Sequence, residues 1–446
     1  GVRPHKNSIN NYYYPENPEA GIDLFLEKLA QETEKNHEDI LEQADETDAV
    51  FGELYSWYLR NPEYRSRVQK LVQAAFAGKP EDIISQSVAK ALYGEVSPYS
   101  ATRLERFAAC AFAHFLQYGM KLTERVEYEF KPMDMGNVMH EALESFAEEV
   151  RKRGMKWTEL TEQERNEIAD RCLDNIVADY GNTVLKSSAR NEYMIERTRR
   201  ILRRTVWALQ KQLEQGEFQP EGFEVTFGGG RIDRVDIMED QNKVYVKVID
   251  YKTGNTSFDL VYLYHGLQLQ LMIYLDGALR VEQKKYPDKE IIPAGVFYYN
   301  IKDPMIQEKI DADVEAVSAG LMKELKMNGL VQADPELVYR MDSSLGSIPV
   351  SFNKDGNFRK NSSVADRTQF AVLGRYVRTK IEKIRSSILE GDAEVSPYEL
   401  GKKNACTYCP YMTVCGFDRR LSGYEFRRLK NFSDEELWKA FDREAE

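Results

Sequence analysis

Along the first ninety residues, apolar positions recur at three- and four-residue intervals. Ile22, Leu24, Phe25 and Leu29 form one stripe and Leu54, Trp57 and Tyr58 another, which predicts helices across 20–93. Gly78-Lys79-Pro80 and Gly94–Pro98 interrupt the pattern. Ser97 and Ser100 then precede a strongly apolar helix carrying Leu104, Phe107, Ala108, Phe112 and Phe115. A second such helix starts near Asp134, with Met135, Val138, Met139, Ala142, Leu143, Phe146 and Val150 on one broad face, and two more are expected at 162–185 and 190–214. The period then changes. Phe223–Phe227, Arg231–Ile237 and Val244–Tyr251 read as strands, the last two joined by a turn at Glu239–Asn242. A long helix at Leu263–Arg280, a strand at Ala294–Tyr299, a mobile Ser/Gly/Asn-rich loop at 343–365 and a helix at Ala365–Gly391 complete the expected order. This is an α/β (α+β) core: a small mixed sheet flanked by helices, with further helices added.

At 446 residues the chain exceeds one ordinary core. Its 42% apolar and 30% charged residues exclude collagen-like, low-complexity and mostly disordered classes. The longest apolar run, Phe107–Leu116, is interrupted by His114 and falls well short of the roughly 20 residues of a membrane span. The opening Gly-Val-Arg-Pro-His lacks an initiator Met and an apolar signal, and reads as a piece of something longer. A net charge of −12, from 61 basic and 73 acidic side chains, does not by itself suggest a nucleic-acid partner. Residues 1–95 hold 10 of the basic and 17 of the acidic groups, so acid is enriched at the front. Basic groups gather instead at Arg197, Arg199, Arg200, Arg203 and Arg204, and at Arg419, Arg420, Arg427, Arg428 and Lys430. Each group is a solvated face or a track for a nucleic-acid backbone.

The acidic residues of the strands carry more information. Gly230-Arg231-Ile232-Asp233 lies on one strand, and Ile249-Asp250-Tyr251-Lys252 ends the next. Alternation points Asp250 and Lys252 one way and Tyr251 the other, into packing. The turn at 239–242 folds Asp233 toward the same edge, whereas Asp236, three residues on, faces the opposite side. Two converging carboxylates repel unless a hard cation such as Mg²⁺ lies between them. Lys252 then adds a point charge for a water or a phosphate. His140 sits four residues after Gly136 on an amphipathic helix, with Glu144 one turn further, and imidazole can complete a divalent-metal site if the fold brings it there. Gln270 and Tyr274 share a helix face and could place an amide and a phenol beside a phosphodiester. A solvated hairpin and ordinary amphipathic helices are the alternative reading.

Three of five cysteines, Cys406, Cys409 and Cys415, fall within ten residues. An odd count without a secretory signal argues against a disulfide framework. A fourth thiolate is available from Cys110, with 295 residues between it and Cys406, while Cys172 reads as a small core residue. Four thiolates suit a [4Fe–4S] cluster or a structural Zn²⁺, closing a very long loop.

Together, Gly136-Asn137-Val138-Met139-His140, Gly230-Arg231-Ile232-Asp233-Arg234-Val235-Asp236, Ile249-Asp250-Tyr251-Lys252-Thr253-Gly254 and Gln270-x₃-Tyr274 resemble the motifs of RecB-like nucleases of the PD-(D/E)XK superfamily. The Cys110…Cys406-x₂-Cys409-x₅-Cys415 pattern and Ser100–Tyr118 are similar to the iron–sulfur staple and domain opening of AddB-type helicase–nuclease subunits; Cys110-Ala111-Phe112 departs from the usual Cys-Pro-Phe. The resemblance covers about 97–418 and implies a restriction-endonuclease-like core at 96–400, a helical remnant of a helicase-like region at 1–95, and a cluster-bearing tail at 401–446. It implies a bacterial, cytoplasmic, metal-dependent deoxyribonuclease that works with an AddA-type partner on strands unwound from double-stranded DNA during break repair. His140, Asp233, Asp250 and the Tyr251 carbonyl would hold Mg²⁺ (or Mn²⁺), Lys252 would assist the attacking water, and Gln270 and Tyr274 would align the strand. Glu224, on the preceding strand, receives no role. Arg197, Arg200, Arg204, Arg419 and Arg420 would track DNA. No Gly-x₄-Gly-Lys-Ser/Thr occurs, so no ATP-driven motor is expected. The rivals are a DNA-binding scaffold with a vestigial site and a stand-alone nuclease of the phage or CRISPR-associated type.

Overall fold

The computed structural model describes residues 18–34, 46–75, 83–94, 99–123, 132–179, 188–228, 230–306, 313–421 and 423–445. The breakers expected at 78–80, Ser97 and the end of the helix at 162–185 lie outside the described residues. In chain order come α1 (Pro18–Glu34), α2 (Glu46–Arg60), α3 (Pro62–Ala75), α4 (Gln86–Tyr93), α5 (Ala101–Ala109) and the short α6 (Ala111–His114). Next are α7 (Pro132–Lys152), α8 (Glu162–Asp179) and α9 (Ala189–Glu214). Strands β1 (Gln219–Phe227), β2 (Gly230–Asp240) and β3 (Lys243–Lys252) lead to α10 (Leu260–Tyr264) and α11 (Gln270–Lys285). Then follow β4 (Glu290–Asn300), α12 (Val314–Glu324), β5 (Asn328–Gln332), α13 (Pro335–Met341), β6 (Val364–Ala365) and α14 (Arg367–Glu390). The chain closes with β7 (Tyr398–Leu400), β8 (Lys403–Asn404), α15 (Met412–Cys415), β9 (Arg427–Arg428) and α16 (Asp434–Ala445).

These elements form two compact units. One gathers residues up to 84 with 110–113 and 392–428; the other holds 85–109, 114–391 and 429 onward. The division cuts across the boundaries expected near 95 and 400, because the chain returns to the first unit at 110 and again at 392. In the first unit, α1 to α3 enclose a small core of Ile22, Phe25, Leu29, Leu54, Tyr58 and Val68. Its sheet has the order β8-β7-β9.

The second unit is built on a mixed six-stranded sheet of order β1-β2-β3-β4-β5-β6. β1, β2 and β3 are antiparallel neighbours, and β4 lies parallel to β3 after the crossover through α10 and α11. The main core joins α7, α8 and α9 to one sheet face through Val138, Phe146, Leu173, Leu202, Met238, Ile249 and Tyr251. At β5 an added Cβ on Gly329 would lie 1.9 Å from the Val296 carbonyl oxygen, so only glycine lets the strands approach this closely.

Three expected elements differ. The apolar helix after Ser100 stops at Cys110, and a π-helical turn occupies Phe115–Gly119. The long helix at 263–280 is two helices: α10 ends before Gly266, whose φ of +78° needs no Cβ. The segment 343–365 is held: the Asp342 carboxylate accepts the N–H and hydroxyl groups of Ser344 and Ser347, which puts Ile348 and Val350 into the core. Its polar composition satisfies one buried acid rather than solvent.

On the sheet face turned to α7–α9, Asp236 is fully enclosed between Arg234 (Nε–Oδ1 2.5 Å) and Lys247 (Nζ–Oδ2 2.8 Å). Burial opposes its charge, but the two cations hold its carboxyl below the usual range. Arg234 lies over the rings of Trp157 and Phe223. Asp236→Asn leaves two cations buried side by side and should cost about 3–5 kcal/mol in chemical denaturation. Asp233→Asn, on the opposite face beside another acid, should cost nothing or stabilise; equal losses in the two variants would contradict this assignment.

Candidate active site

Sheet register builds the site. Phe223 pairs with Arg234 and Val225 with Ile232, which sets Glu224 opposite Asp233. Arg234 pairs with Ile249, which sets Asp233 opposite Asp250 one step further along. Three carboxylates therefore stand in one rank across three adjacent strands. Asp233 and Asp250 are buried and Glu224 largely so. The Glu224 backbone is left-handed (φ 49°), a strained conformation for a side chain of this kind and one that clusters at functional sites.

α7 brings His140 onto this rank: Nδ1 lies 3.3 Å from Asp233 Oδ2 and 3.8 Å from Glu224 Oε1. Gly136, one turn earlier, leaves room for Thr253 just past the end of β3; an added Cβ would sit 3.4 Å from its hydroxyl oxygen. Glu224 is also paired with Arg231. The Tyr251 N–H donates to Asp233 Oδ2 at 2.7 Å, fixing that carboxylate, while the Tyr251 ring packs into the core as alternation predicts.

The other half of the site comes from β3 and α11. Lys252 Nζ lies 2.6 Å from Asp250 Oδ2 and donates to Gln270 Oε1 at 2.8 Å. Gln270 Nε2 in turn reaches Asp250 Oδ1 (2.8 Å) and the Tyr274 hydroxyl (2.9 Å). Glu105 Oε1 accepts the Leu269 and Gln270 N–H groups at 2.7 and 2.9 Å, which caps α11 at the residue that must be placed. Nothing in the sequence spacing marked Glu105. Glu224 was legible only through β1–β2 register, which one-residue slips would overturn.

The electrostatics follow from crowding. Burial, and then the neighbouring Asp233 charge, push Asp250 up to about 7 against the pull of Lys252. Burial works against the His140 cation, yet hydrogen bonds to Asp233 and Glu224 hold it up to about 10. Burial lifts Glu105 to about 7. An imidazolium thus stands where a cation is wanted, and the donor atoms of His140, Glu224 and Asp233 lie within 4.8 Å of one another, with Asp250 the next acid in the rank. A nitrogen and several carboxylate oxygens could hold a divalent cation of the Mg²⁺ or Mn²⁺ type.

In the first unit, Cys110, Cys406, Cys409 and Cys415 line one cavity with Phe112, Val395, Tyr411 and Met412. Burial and the three neighbouring sulfurs push Cys406 up to about 12. Burial raises Cys110 too, against N–H groups of Ala113, Ser396 and Phe112. A metal bound here would take the four sulfurs as thiolates and release their protons. Cys172 is buried in the main core, as expected of a packing residue.

The basic groups are largely occupied. Arg199 and Arg203 pair with acids of α8, Arg200 with Asp303 (2.6 Å), and Arg204 lies against Trp207. Arg420 pairs with Asp418 (2.6 Å), Arg419 lies over Phe426, and Arg197 is exposed. Arg197, Arg200, Arg204, Arg419 and Arg420 are not among the groups that build the carboxylate site.

No helix among the described residues is long and apolar enough to cross a membrane. The chain is similar to curated proteins named as the B-type subunit of an ATP-dependent helicase/deoxyribonuclease. That of Lachnoclostridium phytofermentans is 41% identical over 425 residues, covering 90% of this chain and 36% of the relative. Those of Thermoanaerobacter sp. and Clostridium novyi are each 34% identical, over 425 and 455 residues, covering 90% and 96% of this chain and 37% and 40% of the relatives. The chain thus spans little more than a third of the length of the relatives it matches. The family model described as the PD-(D/E)XK nuclease superfamily matches residues 98–416, and with this coverage and the carboxylate rank on its sheet the chain belongs to that superfamily.

Proposed function

We propose that the chain hydrolyses phosphodiester bonds of single-stranded DNA, as the nuclease part of a helicase–nuclease with an AddA-type partner in the bacterial cytoplasm, during double-strand-break repair. One observation carries this reading: three acids in register across β1, β2 and β3, with His140 on one side and Lys252 clipped to Asp250 on the other. A binding scaffold has no use for buried like charges, which cost stability.

His140, Glu224, Asp233 and Asp250 would hold Mg²⁺, with the Tyr251 carbonyl as a further donor. The cation supplies charge neutralisation at the phosphate and a lowered pKa of bound water. Lys252 would donate from Nζ to the charge that develops on the attacked phosphate. Gln270 keeps Lys252 and Asp250 in register, and Tyr274 offers a hydroxyl to the strand. The cysteine set would hold a [4Fe–4S] cluster as a structural staple; Zn²⁺ is the alternative.

With Mg²⁺, the protein should degrade end-labelled linear single-stranded DNA. Asp250→Ala or chelation should abolish cleavage, and Lys252→Ala should lower kcat by about 10²–10³; full activity of Asp250→Ala would sink the assignment. Because the cation must displace the His140 proton and ionise Asp250, Mn²⁺ affinity should tighten by about tenfold per pH unit for each proton released below their folded pKa values. Titrations of free Mn²⁺ between pH 6 and 8 check the sign, and a flat profile would contradict it. Anaerobic preparations should carry about four irons with matching sulfide, lost in Cys110→Ser. Stoichiometric zinc without iron would replace the cluster with the alternative.

A further inference from the structure

A groove of about 570 Å³ is lined by α11, α14 and the end of β1 at Phe227. Its floor is apolar, formed by Ile273, Val377 and Ile381. Gly277 lets the Phe227 ring pack close to α11, since an added Cβ there would lie 2.6 Å from the ring; one on Gly374 would meet only Arg378 Nη1, at 3.8 Å. The rim is cationic. Asp276 binds both Arg280 and Arg378 at 2.8 Å, which ties the helices together and sets two guanidinium forks at the opening with donors to spare. Lys284, one turn beyond Arg280, is exposed and has no acidic partner among the described residues. Three cations and one acid leave a local excess of positive charge in a chain that is acidic overall.

A chain of side-chain contacts links the groove wall to the carboxylate site. The Phe227 ring meets Tyr274 edge-on, with centroids 5.9 Å apart, and Tyr274 is bonded to the Gln270 amide that holds Asp250. An apolar floor, one aromatic wall and cations spaced a turn apart are what a single strand needs: bases against the floor and ring, phosphates on the rim.

We propose that this groove holds the single-stranded DNA that flanks the scissile phosphate, with phosphates on Arg280, Lys284 and Arg378 and a base against Phe227. This rests on the nuclease reading for its substrate, but binding tests it apart from cleavage. In an Asp250→Ala background, a labelled 20-mer oligodeoxythymidylate is titrated by fluorescence anisotropy over a range of salt. R280E/K284E should raise Kd at least about tenfold at low salt and reduce the slope of log Kd against log salt by about 1.4, two phosphate contacts' worth. Phe227→Ala should raise Kd about tenfold and leave the slope intact. Lys439→Glu/Arg443→Glu on α16, with the same change of net charge, should leave the slope alone. An unchanged slope in R280E/K284E overturns the groove while leaving the nuclease reading standing. Equal losses for a 20-base-pair duplex, or for the α16 control, would show a general field effect and overturn it too. These binding changes, together with no cleavage by the protein carrying intact Asp250, would keep the groove and remove the nuclease.

Discussion

Glu224, Asp233 and Asp250 cannot share one face of three adjacent strands without compensation, and the surrounding structure is arranged around that repulsion. Each acid has its own counterweight. Arg231 pairs with Glu224, the Tyr251 N–H and His140 hold Asp233, and Lys252 with Gln270 holds Asp250. These counterweights are partial, which is why burial and the neighbouring charge still push Asp250 up to about 7. With the His140 imidazolium in place, three side-chain cations face the three acids, so the rank is held together by charge balance rather than by any single residue.

The two faces of β2 separate chemistry from structure by alternation alone. Asp233 faces the rank, whereas Asp236 faces the core and is neutralised within its own strand pair by Arg234 and Lys247. Four carboxylates lie close together on three strands, yet one belongs to the stability of the sheet and three to the site. A one-residue slip of β2 would exchange the roles, so the buried Arg234–Asp236–Lys247 set also pins the register on which the rank depends.

Short-range regularities made much of this visible in the sequence. Alternation placed Asp250 and Lys252 together and Tyr251 in the core; helical spacing paired Gln270 with Tyr274; and the turn after Glu239 brought Asp233 beside Asp250. The expected turn is tighter than drawn, with β2 running to Asp240 and Gln241 in the left-handed region. What stayed hidden needed long-range partners. The Arg197–Arg204 cluster looks like a free basic face by composition, but α8 supplies Asp170 and Asp174 to it. The loop after residue 342 looks mobile until Asp342 is seen to be buried beneath it. Conversely, Arg378 lies far along the chain from Arg280 and Lys284, and the three form no cluster until α11 and α14 are laid side by side.

Glu105 shows how such distant partners set precision. The strongest helix breaker in the stretch after β3 is Gly266, yet α11 begins only at Gln270, because the Glu105 carboxylate accepts the Leu269 and Gln270 N–H groups there. Had the helix run on from α10 unbroken, Gln270 and Tyr274 would still share a face, but the phase of that face toward Asp250 would be fixed by packing alone. A buried acceptor at the helix start instead fixes both its origin and its rotation, at the residue whose amide bonds Asp250, Lys252 and Tyr274 together. Glu105 lies near Asp250 as well, but burial pushes its carboxyl up to about 7, which limits the negative charge it adds beside that acid. It acts as a positioning residue: the acid that orients α11 stands on a helix, whereas the three acids of the rank stand on strands.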